Sequence, residues 1–67
     1  MINYGELFDL RGTHEQLAAK FESLGMYIIC TTEDAFFMEM GYYYVIIIVR
    51  KDGDVFSVDS VSVEKMQ

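Results

Sequence analysis

Proline and tryptophan are missing from this 67-residue chain, and cysteine and histidine occur once each. Each scarcity removes a class of explanation. One thiol, Cys30, cannot form an internal disulfide, so stability has to come from packing, a metal or association with another chain. Cys30 and His14 together cannot supply the nitrogen and sulfur ligands of a tetrahedral zinc site, so no metal or other cofactor is expected. Basic residues are few as well: five Lys and Arg stand against eleven Asp and Glu, for a net charge of −6. A surface of that sign repels phosphate, which disfavours direct nucleic-acid binding and favours a basic partner. Long apolar runs are also lacking. The longest, Tyr42 to Val49, falls far short of the roughly twenty residues that a membrane-spanning helix needs. Residues 1–12 carry Glu6 and Asp9 ahead of any basic residue and lack an apolar stretch of signal-peptide length, so a cytoplasmic protein is expected.

What is present argues for one ordered domain. Apolar residues make up 52% of the chain, with five tyrosines and five phenylalanines, a level that disordered segments do not reach. With so few residues the core must be thin. Without proline, the strong punctuation comes from Gly5, Gly12, Gly25, Gly41 and Gly53. Thr13-His14-Glu15-Gln16 has the form of a capping box, and Gly25 suits the end of a helix. A helix over about 14–24 follows, with Leu17, Phe21 and Leu24 on one side and Glu15, Ala19, Glu22 and Ser23 on the other. Upstream, Asn3 as cap, Glu6 at the third helical position and an Ile2–Leu7 staple suggest a short helix, in competition with a short strand through Glu6 to Leu10.

Beyond Gly25 the composition turns β-branched and aromatic, predicting strands at Met26–Thr31, Phe36–Arg50 and Val55–Val63. The expected fold is therefore α+β, one amphipathic helix on a three-stranded antiparallel meander, or a four-stranded one if Gly41 is a turn and not a bulge. Lys51-Asp52-Gly53-Asp54 reads as a hairpin with Asp52-Gly53 at a type I′ tip. That register sets Val49 opposite Phe56 and Ile47 opposite Val58 on the helix-facing side. Val61 and Val63 join that side only if one extra residue intervenes near Asp59 and Ser60, and Phe36, Met38 and Met40 join it only if Gly41 is extra, so bulges are predicted at both places, with a tight turn at Gly41 as the alternative.

One helix covers one face. By this register the other face carries Ile28, Cys30, Phe37, Tyr44, Ile46 and Ile48 beside Glu39, Ser57 and Asp59, too apolar a surface to leave in water. Three covers are conceivable: the amino-terminal segment with Ile2, Leu7, Phe8 and Leu10, a second copy of the chain, or a different protein. For the last, Tyr42, Tyr44, Ile46, Ile48 and Phe37 would be the anchors. Glu33, Asp34, Glu39, Asp52, Asp54 and Asp59 would supply the charge that selects a larger protein with a basic surface.

Catalytic chemistry finds little support. His14 falls in the first helical turn, where a solvated flank residue is the ordinary outcome, and Cys30 reads as a small buried apolar group. Asp52-Gly53-Asp54 lacks the further ligands of a calcium loop, and Ser57, Ser60 and Ser62 lack a nucleophile elbow. Carboxylates spaced along one surface can imitate the phosphates of DNA and occupy the basic groove of a nucleic-acid-binding protein. Small acidic inhibitors encoded by phages, including some anti-CRISPR proteins, are similar to this chain in that general profile, though no motif is shared. A non-enzymatic inhibitor of that kind is the expected function, with a homodimeric accessory or structural subunit as the alternative.

Overall fold

A computed structural model describes residues 4–67, in the order α1 (Tyr4–Leu7), β1 (Arg11–Gly12), α2 (His14–Ser23), β2 (Tyr27–Thr31), β3 (Ala35–Met40), β4 (Tyr43–Asp52) and β5 (Val55–Lys65). The strands form one antiparallel sheet of five in the order β1-β5-β4-β3-β2. The α+β class matches the sequence expectation, but the strand count exceeds it. Gly41 makes the β3–β4 turn, and Arg11–Gly12 adds a two-residue strand beside β5. The upstream competition resolves to the helix, a single turn at Tyr4–Leu7; no strand forms through Glu6 to Leu10, and the two-residue strand lies beyond that span. The expected cap and staple at Asn3 and Ile2 lie outside the described residues.

The start of α2 follows from its capping box. Thr13 Oγ1 accepts from the Gln16 N–H at 3.1 Å, while Gln16 Oε1 accepts from the Thr13 N–H at 2.9 Å, so two amides that lack helical partners are satisfied reciprocally. At the other end Leu24 is the cap, one residue short of the expected helical span, and the Gly25 N–H closes onto the Glu22 carbonyl. Leu17 and Phe21 are buried to 1% and 0%, whereas Glu15, Ala19, Glu22 and Ser23 face solvent as the periodicity predicts.

Register explains which strand residues meet this helix. Met40 pairs with Tyr43 and Asp52 with Val55, so both long hairpins have two-residue loops, Gly41-Tyr42 and Gly53-Asp54. In each loop only the leading glycine has a positive φ, 62° at Gly41 and 66° at Gly53, which is the type II′ pattern with glycine first. The expected type I′ tip at Asp52-Gly53 is thus displaced by one residue, and Val49 pairs with Val58 instead of Phe56. Displacing the tip by one residue shifts the pairing by two, so every side chain keeps its face. The β4–β5 register then slips between Ile48 and Val49, leaving Asp59 as the extra residue of a bulge, where the phase of Val61 and Val63 had required one.

The bulge predicted at Gly41 does not form, because Gly41 leads a turn; a different and unexpected one lies in β2. Pairing of β2 with β3 slips between Ile28 and Cys30, leaving Ile29 extra. This corrects the placement of Ile28, which pairs with Met38 and packs against the helix-side core. The core itself consists of Leu7, Leu17, Phe21 and Met26 from the helical layer against Phe36, Met38, Val45, Ile47, Val49 and Val58 from the sheet. Phe21 meets Phe36 edge to face, with ring centroids 5.1 Å apart. Leu7 belongs to this core and Leu10 packs against it, so the described part of the amino-terminal segment lies on the helix side and not on the opposite face.

Candidate functional site

The surface that the helix leaves bare is built by strand alternation, which sends Val45, Ile47 and Val49 inward and Tyr44, Ile46 and Ile48 outward. Cross-strand pairing arranges the outer residues in rows. Glu64, Tyr44, Glu39 and Tyr27 form one row across β5, β4, β3 and β2, and Ser62, Ile46, Phe37 and Cys30 form the next. Ser60, Ile48 and Ala35 follow, and past the Asp59 bulge Arg11, Ser57 and Arg50 make the last. The face is thus graded along the strands: carboxylates and tyrosines at one end, apolar side chains in the middle, two arginines at the other.

Exposure varies across these rows. Tyr27 is 69% exposed and Tyr44 42%, while Phe37 and Ile46 are half-buried by their mutual contact and by their neighbours on the sheet. Cys30 is a free, exposed cysteine, which corrects its reading as a buried apolar group. Among the described residues no helix or strand lies over this face.

The residues singled out from the sequence therefore fall into three places. Phe37, Glu39, Tyr44, Ile46 and Ile48 share the outer face. Glu33 and Asp34 lie in the β2–β3 turn, and Asp52 and Asp54 at the β4–β5 turn; both turns are at the arginine end of the sheet. Tyr42 projects from the β3–β4 turn at the opposite end and is 78% exposed. Asp59 stands apart, because its carboxylate lies 3.6 Å from Arg50 Nη1 with both side chains largely in solvent. Such a pair adds little stability, but it matches the charge of Asp59 locally.

Sequence reasoning missed Tyr27 and Arg11 as members of this surface. A visible signal existed only for Tyr27, an aromatic residue at the start of a strand; a two-residue strand such as the one holding Arg11 is too short to show any alternation. His14 also departs from its expected role as a solvated flank residue. Its ring stacks on Phe36 with centroids 4.4 Å apart and meets Phe56 edge-on at 5.7 Å. Nε2 lies 3.0 Å from the Thr32 carbonyl, which can only accept, so this nitrogen carries the proton and ties the start of α2 to the β2–β3 turn.

No family model, curated protein or solved structure matches this chain. The geometry is therefore the only guide to function. Among the described residues, no three His, Cys, Asp or Glu side chains are grouped to hold a metal ion, and no helix is long and apolar enough to cross a membrane.

Proposed function

We propose that this chain is a non-catalytic protein-binding module, an inhibitor that occupies a basic surface of a larger protein through its outer sheet face. One observation carries the reading: an apolar row, Ile46 and Phe37 at its centre, lies between polar ends with no helix or strand among the described residues over it. A folded domain that leaves such a row open loses the hydrophobic stabilisation that covering it would bring, and open patches of this kind are the usual footprint of a partner. Aromatic side chains beside it, Tyr44 and Tyr27 on the face and Tyr42 at the turn, are of the type that anchors interfaces.

Charge supports the choice of partner. Glu39 and Glu64 flank Tyr44 at one end, while Glu33, Asp34, Asp52 and Asp54 crowd the turns at the other, against a chain total of −6. Carboxylates at the rim steer a basic surface toward the apolar centre, and they act mainly on association rate and specificity. The function then resembles that of the small acidic phage-encoded inhibitors whose general profile the sequence shares.

The test is capture of a partner from the source cell by the immobilised chain, followed by titration of the purified pair against salt. Affinity should fall steeply between low and physiological ionic strength. Reversal of Glu33 with Asp34, or of Asp52 with Asp54, should abolish binding, as should Ile46→Glu. Affinity indifferent to salt and to all three changes would exclude this mode of binding.

A further inference from the structure

We propose that the free edge of β5 is the seam of a two-fold dimer, in which two copies pair these strands antiparallel and their sheets become one. The proposal is independent of the partner described above, because an edge seam leaves the outer faces of both copies open.

The observation behind it is an imbalance at the sheet margin. β5 runs from Val55 to Lys65, yet β1 pairs only with Phe56 and Ser57. From Val58 onward no described strand lies on the side of β5 away from β4, so a long row of backbone donors and acceptors faces solvent. Exposed edges of that length template pairing with another chain unless something blunts them. Here the bulge at Asp59 blunts only the start, and Ser60 to Lys65 pairs with β4 in unbroken register. The opposite edge, β2, is a weaker candidate, since its five residues are broken in the middle by the bulge at Ile29. Val63 adds a second sign. It lies on the helix side of the sheet, opposite buried Val45, and is still 41% exposed, with no described strand beside it beyond the edge.

Geometry then selects the register. A two-fold axis makes the pairing isologous, and side chains stay on matching faces only if the axis passes through a residue. Centring on Val61 would set Lys65 against Ser57, whose outer side is already held by Arg11. Centring on Val63 would shorten the seam. Centring on Ser62 gives the longest seam that β1 permits. Ser62 then meets its own copy, Val61 meets Val63 of the second copy on the helix side, and Ser60 meets Glu64 on the outer side. Asp59, the bulge residue held by Arg50 on the outer face, makes no pair with Lys65 on the helix side. Between them apolar side chains meet apolar ones on the helix side and polar ones meet polar on the outer side, and this match of the strand with itself identifies a second copy of this chain as the occupant.

Cysteine cross-linking tests the register directly. In a Cys30→Ser background, Ser62→Cys places two thiols opposite each other within disulfide range, whereas Ser60→Cys leaves them four residues apart along the seam. Under mild oxidation the covalent dimer should form at least about tenfold faster at position 62 than at 60. Val63→Glu should weaken the non-covalent dimer roughly tenfold by setting a charge against Val61 of the second copy. Retained melting temperature in each variant shows that it is folded. Sedimentation that finds only monomer up to hundreds of micromolar overturns the seam, as does equal cross-linking at 60 and 62. A dimer unaffected by Val63→Glu overturns it equally, and points to the outer face as the contact.

Discussion

Adjacent isoleucines on β4 offer a sharp check of the two-faced sheet. Ile47 is 0% exposed, enclosed by the helix layer and by Phe36 and Val61 on the flanking strands, while Ile46 next to it is half-buried on the side that no described helix or strand covers. Ile47→Val removes one methylene from a filled site. The surroundings can relax only partly, so the loss should be about 1 kcal/mol. A domain of this length has roughly 3–10 kcal/mol of stability in total, which makes that loss easy to see. It corresponds to a fall in Tm of about 4–8 °C. Ile46→Val removes the same atoms from a site open to water and should cost less than about 0.5 kcal/mol, or under roughly 4 °C. Thermal melts followed by circular dichroism, run at low protein concentration to keep any dimer dissociated, give both values. Equal losses at the two positions would refute the assignment of opposite faces. A large loss at Ile46 that appears only at high concentration would instead show a second chain covering that residue.

Three further predictions concern the helix start. Thr13→Ala removes one partner of the capping box and should cost about 1 kcal/mol in chemical denaturation. A Cβ at Gly12 would lie 2.7 Å from Gln16 Oε1, so Gly12→Ala should displace the amide that accepts from Thr13. Its cost should shrink in a Gln16→Ala background, and an unchanged cost would mean that the two residues do not interact. His14→Phe keeps ring contacts with Phe36 and Phe56 but loses the bond to the Thr32 carbonyl, for an expected loss of about 1 kcal/mol. His14→Ala should cost more, and a smaller effect than for His14→Phe would show that the stacking carries no stability.

Much of the architecture was legible because it follows from periodicity and local chemistry. The helix from His14 was readable from Thr13 and Gln16, since a capping box is completed within four consecutive residues. The inward set of β4 and β5 was also readable, and for a reason that outlasted an error. The hairpin tip lies one residue later than Asp-Gly chemistry suggested, and the resulting two-residue slip leaves a period-two pattern unchanged. The bulge at Asp59 could be inferred because Val61 and Val63 fall out of phase with Val58, and one extra residue is the cheapest repair.

Other features had no local signature. Ile29 became a bulge because Ile28 found space against Met38 and the helix-side core, and a run of Tyr-Ile-Ile-Cys shows no break in phase that would reveal it. His14 gained its partners from β3 and β5 and from the turn at Thr32, all distant in sequence.

The amino-acid order alone determined the helix, the β4–β5 hairpin and which residues of these two strands turn inward, because each depends on neighbours a few positions away. Only the tertiary structure decided where the amino-terminal segment goes. Leu7 could have packed on either side of the sheet, and the helix-side core offered the enclosing contacts, with Leu17 and Phe21 already lining it. That choice left the row of Ile46 and Phe37 open, and β1, too short to pair with more than Phe56 and Ser57, left the rest of the β5 edge open too. Both surfaces exist because a thin core can enclose one side of a sheet, and which side it encloses is settled by packing between distant segments.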